Sequence, residues 1–185
     1  MRKELLVAAL AVPLVVGGAG VAVASGPARL TAGGEPSVEG TTATAVFSIA
    51  DRTIRQIRYA DNGELVYTFE LSNDGRFPVT VEGLGDAVPD PRLFDFLSLA
   101  DGSGAEEFTI GSGETEEVSL TLGMTGCASL SARAGSIVDA IAVRTVGPVG
   151  LGSDDTVVPL PEEIRAGSPR EAGCANATAS SRSPG

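Results

Sequence analysis

Residues 64–72, ELVYTFELS, alternate between apolar and polar side chains. Leu65, Tyr67, Phe69 and Leu71 fall on one side and Glu64, Thr68, Glu70 and Ser72 on the other. Side chains on a strand repeat every two residues, so only an extended backbone puts those four large groups on one face. The same period returns in 77–81 (Phe77, Val79, Val81) and in 116–123 (Val118, Leu120, Leu122). Asn73-Asp74-Gly75 and Gly111-Ser112-Gly113 precede these two segments. Such residues tolerate the left-handed conformations of tight turns, so the spacing predicts two hairpins. One joins 64–72 to 77–81, and the other joins a strand around Phe108 and Ile110 to 116–123. Pro78 has no amide donor, which places its strand at an edge or starts its pairing after the proline.

Further strands are expected at 44–49, 54–59 and 156–160, with a β-branched central strand at 137–146 (Ile137, Val138, Ile141, Val143, Val146). Residues 93–99 fit either a strand or one helical turn. Nothing after residue 26 reads as a long helix. About seven to nine short strands separated by turn signals indicate an all-β, antiparallel sandwich.

The chain begins differently. Arg2 and Lys3 precede twenty residues, 5–24, without a charge, and Ala22-Val23-Ala24 offers small residues at alternate positions. A basic start, an apolar stretch and A-x-A read as a secretory signal, with Ala22 and Ala24 marking cleavage. Twenty apolar residues can also span a bilayer, so a retained apolar helix, a signal anchor, is the alternative. Arg2 and Lys3 would hold its start in the cytoplasm. Either way the body lies outside the cytoplasm, secreted or anchored to the cell membrane, and touches the membrane only through 5–24 if they stay attached. Residues 25–42, rich in Gly, Ser, Thr and Pro, read as a flexible linker. The sandwich is expected over 43–174, and 175–185 as a disordered tail.

Cys127 and Cys174 are the only cysteines. Export favours their pairing, and the bridge would close a loop of about 47 residues, worth about 4 kcal/mol in the chain-entropy model. It would tie the C-terminal segment to the sandwich.

Composition closes several chemistries. The 185 residues include 24 acids, 13 bases and no histidine, a net charge of -11. Without histidine there is no Ser-His-Asp or Cys-His arrangement. The charge argues against nucleic-acid binding. Lys3 is the sole lysine, so the exported body has no Schiff-base or S-x-x-K chemistry. The paired acids Glu106-Glu107, Glu116-Glu117, Asp154-Asp155 and Glu162-Glu163 sit adjacent in sequence. Neighbours on a strand point to opposite faces, so these read as solvated surface rather than a two-carboxylate site. Asp86, Asp90, Asp95, Asp101, Asp154 and Asp155 are the candidate calcium ligands, but no D-x-[DN]-x-[DN]-G loop is present. No catalytic residue, metal or cofactor is expected.

Two stretches carry a resemblance. YTFELSNDGRFPVTVEGLG (67–85) is similar to the strand, Asn-x-Gly, Pro-Val-x-Val unit of many bacterial immunoglobulin-like domains. The arrangement of Cys127, a long strand to Val146, TVVPLPEEI (156–164) and Cys174, behind an apolar leader, resembles uncharacterised exported or membrane-anchored actinobacterial proteins. The resemblance implies an immunoglobulin-like sandwich and an envelope location, and transfers no functional residue. The expected role is a non-catalytic binding or structural module of the cell envelope, its partner an envelope or extracellular protein. A membrane-anchored accessory subunit and a carboxylate-dependent hydrolase are the alternatives.

Overall fold

The computed structural model describes residues 28–41, 43–86, 93–125, 135–147 and 152–167. They form ten strands and no helix: β1 (Leu30–Glu39), β2 (Ala43–Ile49), β3 (Arg52–Ile57), β4 (Gly63–Asn73), β5 (Val79–Leu84), β6 (Asp95–Asp101), β7 (Phe108–Ile110), β8 (Thr115–Met124), β9 (Ser136–Val146) and β10 (Ser153–Ala166). Sheet A has the order β1-β4-β8-β6 and sheet B the order β2-β3-β10-β9-β5-β7. Their inner faces meet in one apolar cluster, the core of a β-sandwich. Leu65, Tyr67 and Phe69 of β4 lie opposite Leu122, Leu120 and Val118 of β8 and are buried, as the alternation predicts. Sheet B contributes Val81, Val138, Ile141, Val143, Val158 and Ile164.

Residues 30–39 are strand β1 and not part of a linker. Sequence reading misses β1 because it is an edge strand held by its backbone ladder to β4, and only Leu30 on it is fully buried. A register shift between Gly33 and Ser37, with Gly34 at φ +77°, also breaks its period. The sandwich therefore begins at Leu30, with ten strands where seven to nine are expected. Residues 93–99 resolve as a short lead-in to strand β6. The ladders are antiparallel except one: β3 runs parallel to the end of β10, Ile54 opposite Glu163 through Ile57 opposite Ala166.

Neither predicted hairpin forms. β4 and β5 belong to different sheets, as do β7 and β8. Asn73-Asp74-Gly75 and Gly111-Ser112-Gly113 are instead the two places where the chain crosses between layers. Asn73 explains why they coincide. It is fully buried, and its side-chain amide donates to the carbonyls of Phe77 (2.8 Å), Ile110 (3.1 Å) and Gly111 (3.2 Å), while its Oδ1 accepts from the Gly75 amide (2.9 Å). Its backbone pairs with Glu114 and Gly113. One side chain thus satisfies polar groups of both crossings, which a buried turn otherwise leaves unpaired. β5 begins at Val79 and pairs on both sides, so pairing starts just after Pro78.

The leader residues 1–24, with Ala22 and Ala24, and the tail 175–185 lie outside the described residues. So do Cys127 and Cys174.

Candidate functional site

β10 carries the segment Pro159-Leu160-Pro161-Glu162-Glu163. Two prolines inside a strand remove two ladder donors, and the pairing with β9 gives way there. Pro159 is opposite Ala140 and Ile164 opposite Val138, so residues 160–163 bulge against Asp139 alone. In β9 the buried positions run Ser136, Val138, then Ile141 to Val143 and Thr145, and of these Val138, Ile141 and Val143 join the core cluster, so its inward phase changes by one residue at the same level. From Glu163 onward β10 gains β3 as its second neighbour.

The bulge turns both glutamates onto arginines. Glu162 takes Arg55 in a two-pronged pair, Nε to Oε2 at 2.6 Å and Nη2 to Oε1 at 3.1 Å. Arg55 Nη2 also donates to the Pro36 carbonyl of β1 (3.1 Å), joining sheet B to the edge of sheet A. The two side chains are 13% and 8% exposed. Burial pushes the nearby Tyr67 phenol well above its usual range, and the negative charge of Glu162 adds to the effect. Glu163 accepts from Arg165 (Nη2 at 2.8 Å, Nε at 3.1 Å) and from Arg52 Nη1 (2.6 Å). The Arg165 hydrogen bonds, helped by the Arg52 charge and against some desolvation, hold the Glu163 carboxyl below its ordinary range. Beside these pairs is a cavity of about 300 Å³ lined by Asp51, Arg52, Thr53, Asp139 and residues 159–163.

This overturns the surface reading of Glu162-Glu163: both residues are buried. The proline pair flanking Leu160 was the available signal, since prolines in a strand mark a bulge. Glu106-Glu107, Glu116-Glu117 and Asp154-Asp155 are exposed, as expected. A carboxyl held low by guanidinium groups stays ionised at neutral pH, so Glu163 is a charge partner and not a proton donor.

The aspartates take separate structural roles. Asp86 and Asp155 share Arg144 (3.0 and 3.2 Å), and Asp155 also accepts the Asp86 amide. That amide and Arg144 keep the Asp155 carboxyl low. Asp101 accepts from Ser103 Oγ, Ser103 N and Ala105 N, closing its own turn. Asp95 accepts from Thr125 Oγ1. Asp90 lies outside the described residues. Among the described residues no three His, Cys, Asp or Glu converge as metal ligands.

Next to the cavity the turn Ala50-Asp51 joins β3 to β2, an outer strand of sheet B. Among the described residues the sandwich has four edges, and three are blunted in recognised ways. β1 carries Glu35, Pro36, Glu39 and a register shift. β6 begins and ends in aspartate and has its own shift between Phe96 and Ser98. β7 is three residues long. β2, ATAVFSI, contains no charge, proline or glycine; its register shift falls at its start, between Ala43 and Ala45, and its pairing to β3 is regular from Ala45 to Ile49. Val46, Phe47 and Ile49 are 50%, 41% and 51% exposed.

No family model and no curated protein sequence matches the chain. Among solved structures, the cupredoxin domain of amoB from Nitrosocaldus yellowstonii is 13% identical, with a TM-score of 0.27, over 52% of this chain and 55% of that one. The match thus spans about half the length of that structure, and at that score the likeness carries no argument.

Proposed function

We propose that the protein is a non-catalytic, extracytoplasmic binding module of the cell envelope that works through the free edge of sheet B. The observation that carries this reading is β2, an uncharged and exposed edge strand in a chain whose other edges are blunted. Edge strands of this kind recruit partners by strand addition, with main-chain hydrogen bonds supplying much of the affinity. Export is supported by Arg2, Lys3, the apolar residues 5–24 and the alanines at 22 and 24. An immunoglobulin-like topology is supported by the strand order: β1-β4-β8-β6 against β10-β9-β5 follows the A-B-E-D and G-F-C arrangement. The order departs from that plan in sending β6 to sheet A before β7 joins sheet B.

The Cys127–Cys174 bridge is part of the proposal. β8 ends at Met124, whose carbonyl accepts from Asn62, and β10 ends at Ala166, opposite Ile57. Ile57 ends β3 and Asn62 lies in the short connection from β3 to β4, so β8 and β10 end at the same pole of the sandwich, ahead of Cys127 and Cys174 in the sequence. Against the hydrolase alternative, the buried acid pair is clamped by arginines.

The test uses producing cells. Intact-mass measurement should find a species beginning at Ser25 with two fewer hydrogens than the free dithiol. A species retaining residues 5–24 would move the reading to the anchored form. A photo-cross-linking residue at Ser48 should trap a protein chain. Protein shielded from added protease in intact cells, with a silent probe at position 48, would reject the proposal.

A further inference from the structure

We infer that the strand that completes β2 is the β2 of a second copy, paired antiparallel about a two-fold axis at Phe47. The inference rests on the reading of β2 as a binding edge and names its occupant.

The register of β2 determines what its outer side offers. Ile49 and Arg52 close the two-residue turn at Ala50-Asp51, so they form a hydrogen-bonded pair. Along an antiparallel pair the hydrogen-bonded positions alternate. Ala45, Phe47 and Ile49 therefore bond inward to β3, and Val46 and Ser48 turn their N–H and C=O groups to the free edge. A two-fold axis at Phe47 puts Val46 of each copy opposite Ser48 of the other. Those are the outward-bonding residues, so four ladder hydrogen bonds form. Phe47 then faces Phe47 in a non-hydrogen-bonded pair, where side chains approach most closely and aromatic pairs contribute most. Ala45 faces Ile49, small against large.

Charge limits where two copies can meet. The chain carries -11 overall, which opposes self-association. β2 has no charge, and the arginines behind it, Arg52 and Arg55, are neutralised by Glu163 and Glu162. Two copies meeting here bring together the longest uncharged edge of each. A foreign strand draws specificity from pockets for its alternate side chains. The described cavity lies at Asp51–Thr53, past the end of β2, and does not line it. A second copy needs no pocket, because it brings its own Phe47. Five paired residues bury far less than the ~1,200 Å² of a standard interface, so the contact is weak.

Charge-swapped variants of the full exported chain test this. Sedimentation velocity from about 10 μM to about 1 mM should show wild-type protein passing from monomer to dimer. Phe47→Glu and Phe47→Lys each set like charges on the axis and should weaken association at least about tenfold. An equimolar mixture of the two should recover it. Thermal melts check that each variant is folded, and Phe47 is exposed enough for either to be accommodated. Wild-type protein that stays monomeric at the highest concentration overturns the inference. So does a dimer indifferent to both substitutions, or a mixture no tighter than its components. In cells, a Ser48 cross-link to a different protein would overturn the self-pairing while sustaining the binding-edge reading. A silent Ser48 probe would remove both.

Discussion

Arg55 is the residue whose removal should cost most for its size. Its guanidinium holds both oxygens of Glu162 and the Pro36 carbonyl, so it links β3, β10 and β1 at one point. Arg55→Ala would strand the Glu162 carboxylate at 8% exposure with no charge partner. Breaking a buried pair from one side costs about 3–5 kcal/mol, because the remaining charge keeps its desolvation penalty. For a domain of this size, 1 kcal/mol moves Tm by about 2–4 °C, so the variant should melt about 10–15 °C lower. Replacing both partners with apolar residues, Arg55→Met with Glu162→Leu, removes that penalty and should return to within about 1–2 kcal/mol of wild type. Urea unfolding of the two single variants and the double, analysed as a cycle, separates these effects. Two results would refute the reasoning. One is a single-variant cost below about 1 kcal/mol, the level of an exposed pair. The other is a double variant whose loss equals the sum of the singles.

Asn73→Ala removes the side chain shared by both crossings and, at a fully buried position, its hydrogen bonds to the carbonyls of Phe77, Ile110 and Gly111 and from the Gly75 amide; unfolding stability should drop by about 3 kcal/mol, measured in urea. Acid should weaken the fold through Asp101, Asp155 and Glu163, whose carboxyls all sit below their ordinary values. Depressed carboxyls contribute stability above the unfolded pKa near 4 and lose it as pH falls through the folded value. The urea midpoint should therefore be flat from about pH 7 to 5 and fall below about pH 4, and a midpoint unchanged down to pH 3 contradicts this. Ala50 has φ 55° in the β2–β3 turn. Ala50→Gly relieves that left-handed strain and should raise stability by about 0.5–1 kcal/mol despite the looser unfolded chain; a lower Tm would show the turn is not strained.

The strands that could be read in advance were those with one face in the core. β4 and β8 alternate cleanly because every second residue meets the opposite sheet, so apolar content records burial directly. β1 left no such record, since an edge strand is stabilised by backbone pairing that any sequence can supply. The cavity beside β10 was half visible. Pro159 and Pro161 announce a bulge, but which way Glu162 and Glu163 turn depends on Arg52 and Arg55, more than a hundred residues away.

By itself, then, the chain's pattern determined an all-β body and the absence of histidine chemistry. Those are properties of spacing and composition, which need no partner to be expressed. Tertiary structure alone decided that the turns at Asn73–Gly75 and Gly111–Gly113 cross between sheets, that one acid pair is buried and that β2 is an edge among the described residues. Each of these depends on which strands become neighbours. A turn sequence permits a reversal without naming the sheet that receives it, and an uncharged strand is central or exposed only according to what lies beside it.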